Sequence, residues 1–214
     1  MIVGEVMSKK LITIKKSDSL KKAQDIMVEK SIRHLPVMDG TELMGIITES
    51  DIRSAFIGKG AKTNSGKIHE LNPAKMKVSS HMTRDPMVVT PETHIEDAAL
   101  IIYKYKIGAL PVIKRNKLVG IISIMDILGI FVDLMGILHS SSRVDVLMDK
   151  NPKNFEKVSN IIHKEGLNII SVGMAPHGNG DKKQVYFFRL DLCDTAKVVE
   201  KIKKAGFKVI TAIN

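Results

Sequence analysis

Residues 43–51 read Leu-Met-Gly-Ile-Ile-Thr-Glu-Ser-Asp, and residues 118–126, 75 positions later, read Leu-Val-Gly-Ile-Ile-Ser-Ile-Met-Asp. The same offset places Leu35-Pro36-Val37 on Leu110-Pro111-Val112 without any gap. The chain therefore contains an internal duplication. A unit of this size is too short to bury a large core alone, so we expect the two copies to pair and to form a cleft between them.

Each copy is predicted to fold as strand, helix, strand, strand, helix. In the first copy, a β-favouring run at 11–14 precedes the helix caps of 17–19, and Asp39-Gly40 predicts a hairpin before a last helix that opens at Asp51. In the second copy, strands are predicted at 87–89, around 111–112 and at 118–122, with helices after Ile95 and from Asp126 to Leu138.

Two further segments lie outside the duplication. Glycine, serine and lysine between 58 and 77 predict a flexible basic linker. Residues 141–214 have the order β-α-β-β-α-β of a ferredoxin-like domain. The predicted fold class is α+β, and the predicted domains are 1–57, 78–138 and 141–214, with the linker at 58–77.

Composition indicates a soluble globular protein. Of its 214 residues, 44% are hydrophobic, and Cys193 is the one cysteine, which fits a reducing compartment. The first residues lack a secretory pattern, so we expect a cytoplasmic protein. Residues 121–138 are strongly apolar, but Asp126 and Asp133 would each oppose membrane insertion by roughly 2.5–3.5 kcal/mol. We therefore expect no membrane span.

Charge is uneven along the chain. The formal net charge is +10, yet the repeats over 3–53 and 78–140 are nearly neutral, and the excess lies in 54–77 and 141–214. The repeats thus lack a broad cationic face for a polyphosphate backbone, and the chain has no tryptophan for base stacking. A nucleic-acid partner is disfavoured, although a basic nucleic-acid-binding regulator is the alternative function.

A hydroxyl and a carboxylate recur three residues apart in both copies, as Thr48 with Asp51 and Ser123 with Asp126. One interpretation is a capping box at a helix start, although that motif favours Glu or Gln at the third position. The other interpretation is functional. A carboxylate exposed at a cleft can accept two hydrogen bonds from vicinal hydroxyls such as those of a ribose.

These motifs make each copy resemble a CBS domain, and the pair a Bateman module, over about residues 1–138. The resemblance implies a cleft for an adenosine-containing ligand, AMP, ADP, ATP or S-adenosylmethionine, with no other cofactor. It implies that Thr48, Asp51, Ser123 and Asp126 hold the ribose. It also implies that the adenine lies between segments near four residues: Thr13, Val88, Pro36 and Pro111.

The two clefts are predicted to be unequal. Arg33-His34 precedes the Leu-Pro pair of the first copy, whereas Gly108-Ala109, preceded by Lys106, holds that position in the second. In CBS pairs a phosphate usually reaches the other copy's strand. A phosphorylated ligand on Asp126 is then expected to meet Arg33 and His34, and a less anionic one on Asp51 to face the room left by Gly108 and Ala109.

The C-terminal segment is similar to ACT domains, which often bind amino acids where subunits meet. Lys153 stands in place of the glycine of the usual loop, so dimerisation is the better expectation than amino-acid binding. The combination resembles the acetoin-utilisation AcuB-like proteins. The expected function is a non-enzymatic, homodimeric regulatory sensor, since neither a catalytic residue set nor a metal-ligand spacing is evident.

Overall fold

The computed structural model describes residues 1–57, 72–178 and 183–214. These residues form two compact units, Met1–Ile127 and Leu128–Asn214. The division falls inside the last helix of the second repeat, about ten residues before the predicted end of that domain at 138.

The first unit contains both repeats. Its elements in chain order are α1 (Val3–Val6), β1 (Ile14–Lys15), α2 (Leu20–Glu29), β2 (His34–Asp39), β3 (Glu42–Thr48), α3 (Glu49–Ile57), a 3-10 helix (Val78–Ser80), β4 (Thr83–Arg84), α4 (Ile95–Tyr105), β5 (Ala109–Lys114), β6 (Lys117–Ser123) and α5 (Ile124–Leu134), which runs on into the second unit.

The order predicted for each repeat is confirmed from its helices and hairpin, but the first strands are shorter than predicted. The run at 11–14 contributes only Ile14 to β1, which pairs in parallel with β2. In the second copy, the stretch 87–89 makes one bridge, Val89 to Val112. The last helix ends at Leu134 rather than Leu138.

The two repeats exchange their leading segments, which the sequence did not predict. The strand β4 belongs to the second copy by sequence, yet it pairs with β3 of the first. In return, Ser8 pairs with Ile121 in β6 of the second copy. Each exchanged segment packs a methionine on a strand glycine, Met82 on Gly45 and Met7 on Gly120. The copies are therefore interlocked through backbone hydrogen bonds as well as side-chain packing.

The linker prediction was wrong at its C-terminal end. Residues 58–71 lie outside the described residues, but 72–77 pack against the first repeat. The backbone N–H of Leu20 donates to the carbonyl of Met76, and that of Lys21 to the carbonyl of Pro73. Met76 also contacts the apolar core of the repeat. These hydrogen bonds make 72–77 part of the repeat rather than a free tether.

The core of the first repeat lies between its helices and its sheet. Leu20, Ala23 and Met27 recur at helical spacing on α2, and they are buried against Leu35 and Ile47 of the hairpin. Ser19 caps α2 by accepting a hydrogen bond from the backbone N–H of Lys22 at 3.2 Å. The apolar face of α2 therefore packs against β2 and β3, two strands with ends at the candidate site.

The second unit has a four-stranded antiparallel sheet with two helices. Its further elements are β7 (Ser141–Asp149), α6 (Pro152–Lys164), β8 (Ile169–Pro176), β9 (Lys183–Asp191), α7 (Ala196–Lys204) and β10 (Lys208–Ile213). The strands lie in the order β10-β7-β9-β8, so the predicted β-α-β-β-α-β succession is present. Residues 179–182, between β8 and β9, lie outside the described residues.

The loop before α6, which departs from the ACT pattern, is a helix cap. The side chain of Asn151 accepts a hydrogen bond from the backbone N–H of Lys153 at 3.1 Å, and Pro152 occupies the first helical position. No helix within 1–57, 72–178 or 183–214 is both long and apolar enough to cross a membrane.

Candidate functional site

The first constellation lies where β3 meets α3. The backbone N–H and the hydroxyl of Thr48 both donate to Oδ2 of Asp51, at 2.8 Å and 2.7 Å. The backbone N–H of Asp51 donates back to Oγ1 of Thr48 at 3.2 Å. This reciprocal pattern is a capping box built with Asp, so the structural interpretation of the motif is confirmed for the first copy.

The second constellation repeats this geometry between β6 and α5. The backbone N–H and the hydroxyl of Ser123 donate to Oδ2 of Asp126, both at 2.7 Å, and the backbone N–H of Asp126 returns a bond of 3.3 Å. In the described part of the chain, no donor reaches Oδ1 of either aspartate, and both residues are half-buried. Capping thus occupies one oxygen of each carboxylate and leaves the other available to a hydroxyl.

His34 is the residue that the structure adds to the first constellation. In the antiparallel pair of β2 and β3, His34 lies directly opposite Thr48, so the two side chains share a face of the sheet. At the matching position of the second copy, Ala109 lies opposite Ser123. Only the first copy therefore carries an ionisable ring beside its hydroxyl and carboxylate.

The imidazole of His34 also fills the space beside Gly108. A β-carbon on Gly108 would overlap the ring atoms Nε2 and Cε1 of His34. The expectation that Gly108 leaves open room for a ligand is thus wrong in this structure, because the ring occupies that room. Burial lowers the pKa of His34, the positive charge of Arg33 lowers it further, and the carboxylate of Asp51 opposes both.

The side chains of Arg33 and Lys106 both lie close to other side chains of the protein. The side chain of Arg33 is 78% exposed and its Nε lies 3.8 Å from Glu49, beside the ion pair of Arg53 with Glu49. Lys106 ends α4 in a left-handed conformation, and its Nζ lies 4.2 Å from the ring centre of Tyr103. Among the described residues, Arg33 and His34 make no direct contact with Asp126, and their contact with the phosphate of a ligand held there stays a prediction, as does the place of Lys106 beside a ligand on Asp51.

The four residues predicted around adenine divide into two kinds. Pro36 and Pro111 are buried inside β2 and β5, where they lie opposite Ile46 and Ile121. Thr13 and Val88 are exposed, each one residue before the backbone that joins the hairpin. Thr13 lines a cavity of about 710 Å³ whose lining includes neither Thr48 nor Asp51.

An apolar groove was not predicted. It lies between α2 and α3, has a volume of about 460 Å³, and includes Met27, Ile52 and Phe56 below a rim of Arg33 and Glu49. Arg53 also lines this groove. The equivalent face of the second copy, 75 residues later, is more apolar, because Ile124 replaces Glu49 and Leu128 replaces Arg53. Comparing the two copies residue by residue would have revealed this difference.

Three solved structures resemble the chain over about three-fifths of its length. The CBS domain pair of protein MJ0100, in complex with 5-methylthioadenosine and S-adenosyl-L-methionine, is 28% identical, with a TM-score of 0.53 over 61% of this chain and 95% of that one. CBSX2 in complex with AMP is 29% identical, with a TM-score of 0.51 over 62% and 96%. An acetoin utilization protein (AcuB) from Vibrio cholerae is 26% identical, with a TM-score of 0.53 over 64% and 94%.

Among curated proteins, the homoserine O-acetyltransferase of Methanococcus vannielii is 33% identical over 124 residues, which is 57% of this chain. The chain spans about a quarter of the length of that relative. The family model described as "CBS domain" matches twice, at residues 3–58 and 78–133, which together exceed half of the chain. The chain belongs to the CBS domain family and carries two copies of that domain in tandem.

Proposed function

We propose that the two repeats bind an adenosine-containing ligand, AMP, ADP, ATP or S-adenosylmethionine, and that the protein acts as a regulatory sensor. The observation that carries the proposal is that no described residue donates to Oδ1 of Asp51 or Asp126, each of which lies at a strand end beside a hydroxyl. A carboxylate in this position accepts hydrogen bonds from vicinal ribose hydroxyls while its other oxygen stays fixed by the helix cap.

The ligands of similar proteins support this choice. MJ0100 and CBSX2, each covered almost completely by this chain, are described with 5-methylthioadenosine, S-adenosyl-L-methionine and AMP. Those molecules share an adenosine group and differ in charge at the 5′ position. A common ribose site with separate control of the 5′ group accounts for both kinds of ligand.

Thermal unfolding of the full chain with and without ligand tests the proposal. A ligand at 100 times its Kd stabilises the folded state by about 2.7 kcal/mol, which raises Tm by several degrees. We expect AMP or S-adenosylmethionine to raise Tm of the wild type, and Asp51→Ala and Asp126→Ala together to abolish the rise. Either single variant shows how much of the rise each site contributes.

The matched control is Asn151→Ala, which removes a helix cap far from both aspartates in sequence. It lowers Tm of the unliganded protein as the aspartate variants do, and it keeps the rise with ligand. If no adenosyl ligand shifts Tm, and if DNA or RNA binds with steep salt dependence, the basic nucleic-acid-binding alternative replaces this proposal.

We further propose that the protein is a homodimer that pairs through the helices of the second repeat. Leu100, Tyr103 and Ile124 are 61%, 72% and 52% exposed, and the equivalent first-repeat residues Asp25, Val28 and Glu49 include two charges. A second copy of the same face covers these three apolar side chains, whereas the equivalent face of the first repeat would bury the carboxylates of Asp25 and Glu49. Sedimentation equilibrium of Leu100→Glu, with Asp25→Glu as control, is expected to give monomers for the first alone.

The ACT-like assignment of the second unit is part of this proposal, in the role of dimerisation or signal transmission. Its support is the β-α-β-β-α-β order with strands β10-β7-β9-β8. Because the loop that would approach a ligand carboxylate is taken up by the cap of α6, amino-acid binding is not expected. A panel of amino acids in the same thermal assay checks this, and a rise in Tm with any of them would reverse it.

A further inference from the structure

A basic cavity lies in the first unit, where the leading segment of the second copy crosses the first repeat. Its volume is about 470 Å³, and its lining includes Lys16, which follows β1, Lys77, which precedes the 3-10 helix, and Arg84 of β4. None of the four hydroxyl and carboxylate residues of the candidate ribose sites belongs to this lining. The basic cavity is therefore distinct from those two sites.

The backbone fixes the three segments that surround the basic cavity. The N–H of Ser79 donates to the carbonyl of Lys16 at 3.1 Å, and Lys77 forms a β-bridge with Ser19. Arg84 lies in the ladder of β3 and β4, and its Nη2 donates to the carbonyl of Ser79 at 3.5 Å. These hydrogen bonds hold one guanidinium and two ammonium side chains around a single concavity.

The charge around the basic cavity is positive. Its three cationic side chains are opposed in the lining by one carboxylate, that of Asp85. Lys16 pairs with Asp39, whereas neither Lys77 nor Arg84 forms an ion pair with a described residue. The lining thus has an excess of positive charge that an anion can neutralise.

The second copy has the same backbone arrangement without this set of side chains. The N–H of Gly4 donates to the carbonyl of Pro91 at 2.8 Å, which is the equivalent of the bond from Ser79 to Lys16. Gly4 and Pro91 thus replace a hydroxyl and a cation, and Ile2 replaces the second lysine. Because the fold forms without these polar side chains in one copy, it does not require them in the other.

The shape of the basic cavity also suits a small ligand. Met44 and Met82 line it, and both are half-buried. Its volume falls within the range of about 300–1,000 Å³ that is usual for small-molecule sites. A charge held against such an apolar wall is screened less by water and salt than a charge on an open surface rich in lysine.

We propose that the basic cavity binds a compact, multiply charged phosphate anion such as pyrophosphate. The guanidinium of Arg84 offers paired N–H donors to phosphate oxygens, and Lys16 and Lys77 supply positive charge. The hydroxyls of Ser17 and Ser79, which also line the cavity, are further donors. Because Lys16 belongs to the first copy and Arg84 to the leading segment of the second, a bound anion also stabilises the exchange of segments between the copies. The inference does not depend on an adenosyl ligand.

Isothermal titration calorimetry of the full chain with pyrophosphate tests the proposal. Titrations at about 10 mM and about 150 mM salt compare Debye lengths of about 30 Å and about 8 Å, and binding is expected to weaken at the higher salt. The test variant is Lys77→Gln/Arg84→Gln. The matched control is Lys9→Gln/Lys10→Gln, which removes two positive charges from the equivalent leading segment of the first copy. We expect the test variant to bind at least about tenfold more weakly than wild type, and the control to change by less than about twofold.

Equal weakening in the test variant and in the control would show a general attraction to a basic chain and would overturn the inference. Absence of binding by wild type at low salt would overturn it as well. The variant Asp51→Ala/Asp126→Ala is expected to bind pyrophosphate as wild type does, so failure of this inference leaves the proposed adenosyl function untouched, and the reverse also holds.

Hydrogen exchange of the wild type gives a readout that needs no variant. Pyrophosphate is expected to slow amide exchange over residues 78–85 more than over residues 3–10, because only the first of these segments lines the basic cavity. Calorimetric binding without protection of 78–85 would place the anion elsewhere and overturn the assignment.

Discussion

The sulfur of Met82 lies on Gly45, at a strand position where a β-carbon would stand 2.9 Å from that sulfur and 2.5 Å from the carbonyl oxygen of Thr83. Met7 holds the equivalent position on Gly120 of the other copy. The exchanged segments therefore cross the hairpins where these have no side chain. Gly108 of the second copy likewise has a close neighbour from the first copy, the ring of His34.

Gly45→Ala is expected to lower the free energy of unfolding by about 1–3 kcal/mol, because the new methyl group meets backbone atoms of β4 that cannot rotate away. Urea denaturation measures the effect. Gly129→Ala is the control, since a β-carbon there meets no described atom and the helix gains about 0.5–1 kcal/mol. Equal stability of Gly45→Ala and wild type would contradict the close packing of the exchanged strand.

Thr48→Val is expected to destabilise the protein by about 1 kcal/mol, because it removes the hydroxyl that both donates to Asp51 and accepts from its backbone N–H. Thr48→Ser keeps the hydroxyl and should stay within a few tenths of a kcal/mol of wild type. Thermal unfolding by circular dichroism distinguishes them. A valine variant as stable as the serine variant would show that the capping box does not support α3.

The stability of the protein is expected to fall on the acid side of neutrality partly through His34. Burial and Arg33 hold its pKa in the folded state below the ordinary value of about 6.5, so the unfolded chain takes up this proton first. The stability that neutral His34 contributes to the folded protein is fully present above the ordinary pKa. It is lost as pH falls from that value through the lowered pKa of the folded state. Urea midpoints from pH about 8 to about 5 should therefore decline more steeply in wild type than in His34→Gln. Parallel curves would contradict the lowered pKa.

Arg143→Leu is expected to lower the free energy of unfolding of the second unit by about 2 kcal/mol, because it leaves the nearly buried carboxylate of Asp145 without its partner. In the wild type, Nε and Nη2 of Arg143 donate to the two oxygens of Asp145 at 2.7 Å and 3.0 Å. The double variant Arg143→Leu/Asp145→Leu should recover most of the loss, since no charge is then left alone. A double variant as unstable as the sum of both single variants would argue against a coupled pair.

Much of the fold followed from the repeat in the sequence. The apolar spacing of Leu20, Ala23 and Met27 predicted α2, and Asp39-Gly40 predicted the hairpin turn, which Gly40 makes with a φ of 60°. The hydroxyl and carboxylate of the site were also visible, because three positions on one chain suffice to define a cap. These predictions were confirmed because a helix face, a turn and a cap each depend on interactions between residues that are close along the chain.

The residue that lies opposite Thr48 in the sheet could not be predicted from the sequence in this way. A regular hairpin around the Asp39-Gly40 turn, continuing the pairing of Asp39 with Glu42, would place Ile47 opposite His34. A bulge between Val37 and Met38 shifts the register by one residue and places Thr48 there instead. The same bulge between Val112 and Ile113 places Ala109 opposite Ser123. A one-residue shift reverses which side chains share a face, and no local pattern in the strands announces it.

The sequence by itself determined that the chain is a duplicated CBS pair with a cap-forming hydroxyl and carboxylate at each strand end, because repeats, turns and caps depend on neighbours along the chain. Only the tertiary structure decided that the leading segments are exchanged, that residues 72–77 pack on the first repeat, and that His34 lies between Thr48 and Gly108. Those arrangements depend on strand register and on contacts between the copies, where small free-energy differences among distant residues choose one pairing over another.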